Sequence, residues 1–235
     1  MHGTVAGGDL AHFLEAGFDG VISSGGGHVS YGDEVVLHHT IPAALLERIR
    51  THLDGAGLDY IMESNSGLYP SRGVRRRMAE IVHPDLSEAE RDELVASDAV
   101  ILKPLAALPD DLPPINKIVV MGSNTPASVT RDQFAGEFDV IEATIPPYGP
   151  NMFELALPGV HKATAIAALL EHAGIDREHS AAFGDGTNDL EMIEYVAVGV
   201  AMGNAHPEVI AVADLVTESA DDDGIARGFA RLGLV

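Results

Sequence analysis

Seven residues near the C-terminus, Phe183-Gly184-Asp185-Gly186-Thr187-Asn188-Asp189, combine two carboxylates, a carboxamide and two glycines. They follow a short apolar run, Ala181-Ala182-Phe183, and precede a helical pattern at Leu190–Tyr195. Ligands of open α/β sheets bind at the carboxyl ends of the strands, which is where this turn falls. Carboxylates four positions apart, one on a turn and one at a helix start, can converge on one point. In an acidic chain they would repel unless a cation lay between them, and hard oxygen ligands suit Mg²⁺. Plainer roles exist: Asp189 caps its helix, and Asp185 makes an Asx turn. Capping accounts for Asp189. It does not account for Asp185, set between two glycines at the mouth of a buried strand.

The second candidate is Lys162, which opens the preceding helical pattern 23 residues before Asp185. A cation at a helix N-terminus works against the helix dipole, so its placement points to another use; the alternative is an ordinary surface lysine. Lysine is scarce: Lys103, Lys117 and Lys162 are all there are, and 14 Lys+Arg against 36 Asp+Glu leave a formal charge of −22. A field of that sign repels nucleic acid and anionic membranes, so an anionic substrate needs a local device to hold it. There is no cysteine in the chain, which excludes disulfides, thiolate metal sites and a cysteine nucleophile.

The elements that must position these residues are those of an α/β protein. With 235 residues, of which 46% are hydrophobic, the chain can form one large domain or two modest ones. Leu10, Phe13 and Leu14 read as helix, Gly20–Ser23 as a strand, Gly25-Gly26-Gly27 as a tight turn and Asp33–His38 as a strand. Helices are expected at 42–53, 73–81 and 87–97, with a capping box at Ser87–Glu90. Strands are expected at 58–63, 99–102, 116–121 and 140–144, and turns at 109–114 and 146–150. From Asn151 the pattern becomes regular α/β: strands at 152–157, 181–183, 198–202 and 215–217 alternate with helices at 162–173, 190–195, 204–213 and 224–232. Such alternation implies a parallel sheet. No apolar run approaches the ~18 residues of a membrane span, and without a basic-then-apolar leader the expected compartment is the cytoplasm.

Three segments in order, Gly159-Val160-His161-Lys162-Ala163-Thr164-Ala165, the Phe183–Ile193 stretch and Val200-Ala201-Met202-Gly203-Asn204-Ala205, resemble the haloacid dehalogenase superfamily. The match is to the Cof-type branch, whose members carry a large α/β cap (class IIB). The resemblance implies a Rossmann-like core from residues 1–40 and 150–235 with an inserted cap at 41–149. It also implies hydrolysis of a small phosphomonoester, sugar phosphate-like, through an aspartyl-phosphate, with closure of the cap over the core. A first-strand aspartate attacks, and a second, two positions on, serves as acid and base. Mg²⁺ is held by the nucleophile and Asp185; Asp189 and Asn188 support that shell, with Asp189 a second candidate ligand, and Lys162 steadies the nucleophile and the phosphoryl oxygens. Mg²⁺ and Lys162 would then supply the positive potential that the overall charge lacks.

The family's opening Asp-x-Asp-Gly-Thr does not occur in this sequence. The nearest candidates are Gly7-Gly8-Asp9 and Gly17-Phe18-Asp19-Gly20, and neither follows a buried strand. The second motif, Thr-Gly-Arg, would fall on His2-Gly3-Thr4, making Thr4 the candidate phosphate-contacting hydroxyl. The sequence is therefore expected to start just after the family's second strand, leaving out roughly 35 residues and depriving Val21–Ser23 of a strand joining it to Ala181–Phe183. A shortened sequence of a working enzyme is the preferred reading. The others are strands supplied by another chain, and a catalytically inactive binding or interaction protein.

Arg72 and Arg75-Arg76-Arg77 form the sole basic cluster, readable as an anion contact or as a solvated helix face, with the solvated face favoured. The histidines show no metal-ligand spacing, and the triple glycine makes no dinucleotide fingerprint. The implied partner is a small phosphorylated metabolite, not nucleic acid or membrane, and the oligomeric state is open.

Overall fold

A computed structural model describes residues 17–96, 105, 106, 108, 109, 111–143 and 150–235. The expected helix around Leu10–Leu14, the expected strand at 99–102, and Thr4, Asp9 and Lys103 lie outside these residues. The fold is mixed α/β, in two compact units: His38–Gly159 forms the body of one, and Asp19–Leu37 with Val160–Val235 forms the other.

The first unit is built on a five-stranded antiparallel sheet. Its strands are β4 (Tyr60–Ser64), β5 (Gly67–Pro70), β6 (Lys117–Val120), β7 (Asp139–Ala143) and β8 (Met152–Ala156), in the order β5-β4-β6-β8-β7. Alternate residues, Tyr60 and Met62, Ile118 and Val120, Phe153 and Leu155, point to one face and are buried there. Helix α1 (Ala43–Gly55) closes that face with Leu46, Ile49 and Leu53, residues at helical spacing. On the other face, Ile61 and Leu68 pack with Val74, Met78 and Ile81 of α2 (Val74–Val82). Helix α3 (Glu88–Ala96) begins at the expected capping box: Ser87 N donates to Glu90 Oε2 at 2.8 Å and Glu90 N to Ser87 Oγ at 3.4 Å. A further helix, α4 (Ala127–Gln133), had no counterpart in the sequence reading.

Charge inside this unit is spent on structure. Lys117 stands opposite Glu63 in the β4–β6 register, and its Nζ lies 3.6 Å from Glu63 and 2.9 Å from Glu154. Burial pulls the Lys117 pKa down, but the two carboxylates outweigh it and hold it above the ordinary lysine value. The arginine cluster staples loops. Arg75 donates to the Leu105 carbonyl at 2.5 Å, Arg77 to the Gly122 carbonyl, and Arg76 pairs with Glu80, Glu88 and Asp92. Only Arg76 and Arg72 have the exposure of a solvated face.

The second unit holds two three-stranded sheets. An antiparallel one joins β1 (Gly20–Ser23), β2 (His28–Tyr31) and β3 (Glu34–His38). A parallel one runs in the order β11-β10-β9, from β9 (Ala181–Gly184), β10 (Val198–Ala201) and β11 (Leu215–Val216). Among the described residues no strand joins β1 to β9. The helices are α5 (Lys162–Ala173), α6 (Leu190–Tyr195), α7 (Pro207–Val212) and α8 (Gly224–Arg231). Helix α5 lies on β1 and β2, and α6 packs on both α5 and β10.

The expected boundary at 149/150 differs from the structure at one strand. β8 pairs with β6 and β7 in the antiparallel sheet, so the chain leaves the first unit at Gly159. Its central place buries Phe153 and Leu155 on one face and encloses most of Glu154 on the other. The sequence therefore reads as the doubly covered strand of a parallel sheet. Among the described residues no helix is long and apolar enough to cross a membrane.

Candidate functional site

The site lies wholly in the second unit, at the carboxyl end of β9. Asp185 and Gly186 leave the strand, a 3₁₀ turn covers Thr187–Asp189, and α6 begins at Leu190. Asp189 starts that helix, but its side chain does not cap it. The carboxylate instead turns back into the loop, where Oδ2 accepts from the amides of Asp185 at 3.0 Å and Gly186 at 3.1 Å. Oδ1 takes the ammonium of Lys162. Asp189 is 4% exposed, so this pairing and the two amides replace the water it has lost.

Gly184 is required by contact: a Cβ on it would stand 2.6 Å from Asp189 Cβ, whereas one on Gly186 would press only on the end of the exposed Asn188 side chain, 2.5 Å from Oδ1. Asn188 is itself exposed, with its carbonyl oxygen folded over Gly186.

Lys162 is set by the start of α5. The chain enters that helix at His161 in an extended conformation and leaves it at Gly174, left-handed with φ 65°. The triple glycine holds this helix start close to the end of β1. Gly26 has φ +109°, and a Cβ there would fall 2.4 Å from the His161 carbonyl oxygen. Close backbone approach is its function, a role the sequence reading of a tight turn did not reach.

Asp185 is half-buried and held from several sides. Its amide is bound by Asp189, its carbonyl accepts from His206 N at 2.8 Å, and its Oδ2 lies 3.4 Å from Asn204 Nδ2. Lys162, Asp185, Asn188 and Asp189 are thus brought together, while Thr4 lies outside the described residues. Asn204 and His206 join the site from outside the expected set; the signal for Asn204 is its place in Met202-Gly203-Asn204-Ala205.

Among the described residues no group of three or more His, Cys, Asp or Glu is arranged to hold a metal. The donors present still suit Mg²⁺, which is held through one or two carboxylates, retained waters and a substrate phosphate rather than a full protein cage. Asp185 fits that demand with one hard carboxylate, and Asn188 adds a carbonyl on the same turn. Asp189 has both oxygens taken, so in this geometry it braces Lys162 and the loop instead of facing a cation.

The haloacid dehalogenase-like hydrolase family model matches residues 9–229. The Bacillus subtilis (strain 168) protein YkrA is 52% identical over 77 residues, 33% of this chain and 30% of that protein. Phosphoglycolate phosphatase of Methanothermobacter thermautotrophicus is 43% identical over 74 residues, 32% of this chain and 34% of that protein. These matches therefore span about a third of each relative's length. In fold, a hypothetical protein of Geobacillus kaustophilus HTA426 superposes with a TM-score of 0.73 at 22% identity, covering 98% of this chain and 82% of that one. With a family match running across both units, the chain belongs to the haloacid dehalogenase-like hydrolases, in their Cof-type branch.

Proposed function

We propose that this chain acts on a small phosphorylated metabolite as a Mg²⁺-dependent phosphomonoester hydrolase. The observation that carries the reading is the convergence of Lys162, Asp189 and Asp185 on the loop after β9, with Asp189 clamping both the lysine and the two loop amides. Lys162 and the two carboxylates together carry a net negative charge, so an ester dianion is repelled from them unless a divalent cation arrives with it. When bound, Mg²⁺ supplies the positive charge that a phosphoryl group in transfer requires.

In this reading Asp185 is the cation ligand. Asn188, exposed on the same turn, donates through its amide to a phosphoryl oxygen. Lys162 lies against the phosphoryl oxygens on the other side, kept in place by Asp189. The attacking aspartate that the family resemblance implies has no Asp-x-Asp-Gly-Thr to occupy in this sequence. The test therefore separates binding from turnover.

Release of phosphate from p-nitrophenyl phosphate and from a panel of sugar phosphates is measured with Mg²⁺ and with EDTA, beside inorganic phosphate binding by calorimetry. Mg²⁺-dependent turnover that disappears in Asp185→Ala supports the hydrolase. Phosphate binding without turnover is followed by restoring the upstream residues that carry Asp-x-Asp-Gly-Thr: regained turnover supports the hydrolase, and none favours an inactive binding protein. Turnover that is the same in Asp185→Ala overturns the site.

A further inference from the structure

Beyond the residues given a role above, we infer that Asn204 is a positioning residue, which aims the Asp185 carboxylate and couples it to the loop between β11 and α8. The inference rests on the reading of Asp185 as a cation ligand. Its structural basis is independent of that reading.

Asp185 offers four polar atoms: N, O, Oδ1 and Oδ2. Three are held. Asp189 Oδ2 binds the amide at 3.0 Å, His206 N binds the carbonyl at 2.8 Å, and Asn204 Nδ2 reaches Oδ2 at 3.4 Å. Oδ1 makes no hydrogen bond to a described residue and is the atom left to face a ligand. Two of the three tethers come from one short turn, Gly203–His206, which follows β10.

That turn is itself anchored on the far side. Gly203 N donates to the Glu218 carbonyl at 3.0 Å, and Asn204 Oδ1 accepts from Ala220 N at 3.2 Å. Gly203 is obliged to be glycine, since a Cβ would stand 2.7 Å from Ser219 N and 2.8 Å from Glu218 C. The turn is thus pressed against the main chain of 217–220 with no room for a side chain.

The anchor also fixes which end of the Asn204 amide faces Asp185. Ala220 N is a donor, so the atom beside it must be the carbonyl oxygen, and the NH₂ then points at the carboxylate. The reversed amide would set NH₂ against N–H at one end and oxygen against carboxylate oxygen at the other. A contact of 3.4 Å is long for an N–H···O bond, so its effect is on aim more than on strength. Without it, Asp185 keeps both main-chain tethers but its carboxylate is free to turn about χ1.

The probe is Mn²⁺ alone, with free ion counted by electron paramagnetic resonance in titrations of the full chain. Four proteins are compared: wild type, Asp185→Ala, Asn204→Ala and Asn204→Asp. Thermal unfolding of each separates aim from fold. Asn204→Ala should weaken Mn²⁺ binding three- to ten-fold with its melting temperature little changed, and Asp185→Ala should weaken it further. Asn204→Asp keeps the acceptor for Ala220 N and adds a second carboxylate oxygen beside Asp185, so it should bind Mn²⁺ at least as tightly as wild type. Wild-type affinity in Asn204→Ala, with affinity lost in Asp185→Ala, overturns the role of Asn204 and leaves the cation reading standing. Equal binding by wild type and Asp185→Ala overturns the cation reading and this inference with it.

Discussion

The Lys162–Asp189 pair is unequal in its access to water, and that inequality gives a prediction whose order is not obvious. The Asp189 side chain is 5% exposed and the Lys162 side chain 29%. In Lys162→Met the carboxylate stays buried with two amide donors and no counter-charge. Breaking a buried pair in this way costs about 3–5 kcal/mol. In Asp189→Asn the carbonyl can keep the two amides while the NH₂ meets the ammonium, but the lysine can swing its head into water. The loss is then close to one charge-assisted hydrogen bond, ~2 kcal/mol. Lys162→Met should therefore be the more damaging change, although it removes the more exposed partner. The double variant should cost about 2 kcal/mol less than the sum of the single effects, because each change removes what the other leaves stranded. Urea unfolding followed by circular dichroism, with the slope checked for constancy, measures all three. The reasoning is refuted if Asp189→Asn costs more than Lys162→Met, or if the two effects add.

Two further changes test parts of the frame. Gly26→Ala should destabilise by more than ~2 kcal/mol, because it combines φ +109° with a Cβ 2.4 Å from the His161 carbonyl, whereas Gly25→Ala has φ +66° with nothing within 4 Å and pays only for its backbone; equal melting temperatures for the two would show that α5 is not held by that contact. Lys117 holds its proton more tightly folded than unfolded, so the stability it contributes is complete below the ordinary lysine value of about 10.4 and is lost as pH rises through the higher folded value. Urea midpoints from neutral to strongly alkaline pH should fall more steeply for wild type than for Lys117→Met; parallel curves would remove Lys117 as the cause, since Tyr60, whose pKa burial also raises, is common to both.

Most of the second unit could be read from its residues because each helix there is bounded by its own chemistry. Lys162–Ala173 was expected and found with the same limits, ended by Gly174, and Leu190–Tyr195 likewise. The short strands β2 and β5 were missed, though both carried a signal. Two residues, Gly32-Asp33, separate β2 from β3, and two, Asn65-Ser66, separate β4 from β5. A two-residue gap with turn-forming residues marks a hairpin. In each case one arm is only four residues long and too short to show its own alternation. β8 was found as a strand but placed with the wrong unit. Its run of Met152-Phe153-Glu154-Leu155-Ala156 is apolar apart from Glu154, and that glutamate is partnered by Lys117, 37 positions earlier. Periodicity along one strand carries no record of which neighbour supplies the charge.

The same limit separates Asp185 from Asp189. Spacing of four on a turn and a helix start shows that two carboxylates can meet; it does not show what each will meet first. Asp189 falls where two amides emerge from the end of β9 and where Lys162 arrives from another helix, so three donors reach it and burial holds them there. Asp185, one residue beyond the strand, has its own amide bound by Asp189 and so is fixed in place by the carboxylate it was expected to resemble. A plain helix cap at Asp189 would have left Lys162 without a partner and the Asp185 amide without an acceptor. The backward turn of one side chain thus settles the lysine, the loop and the free edge of the second carboxylate together.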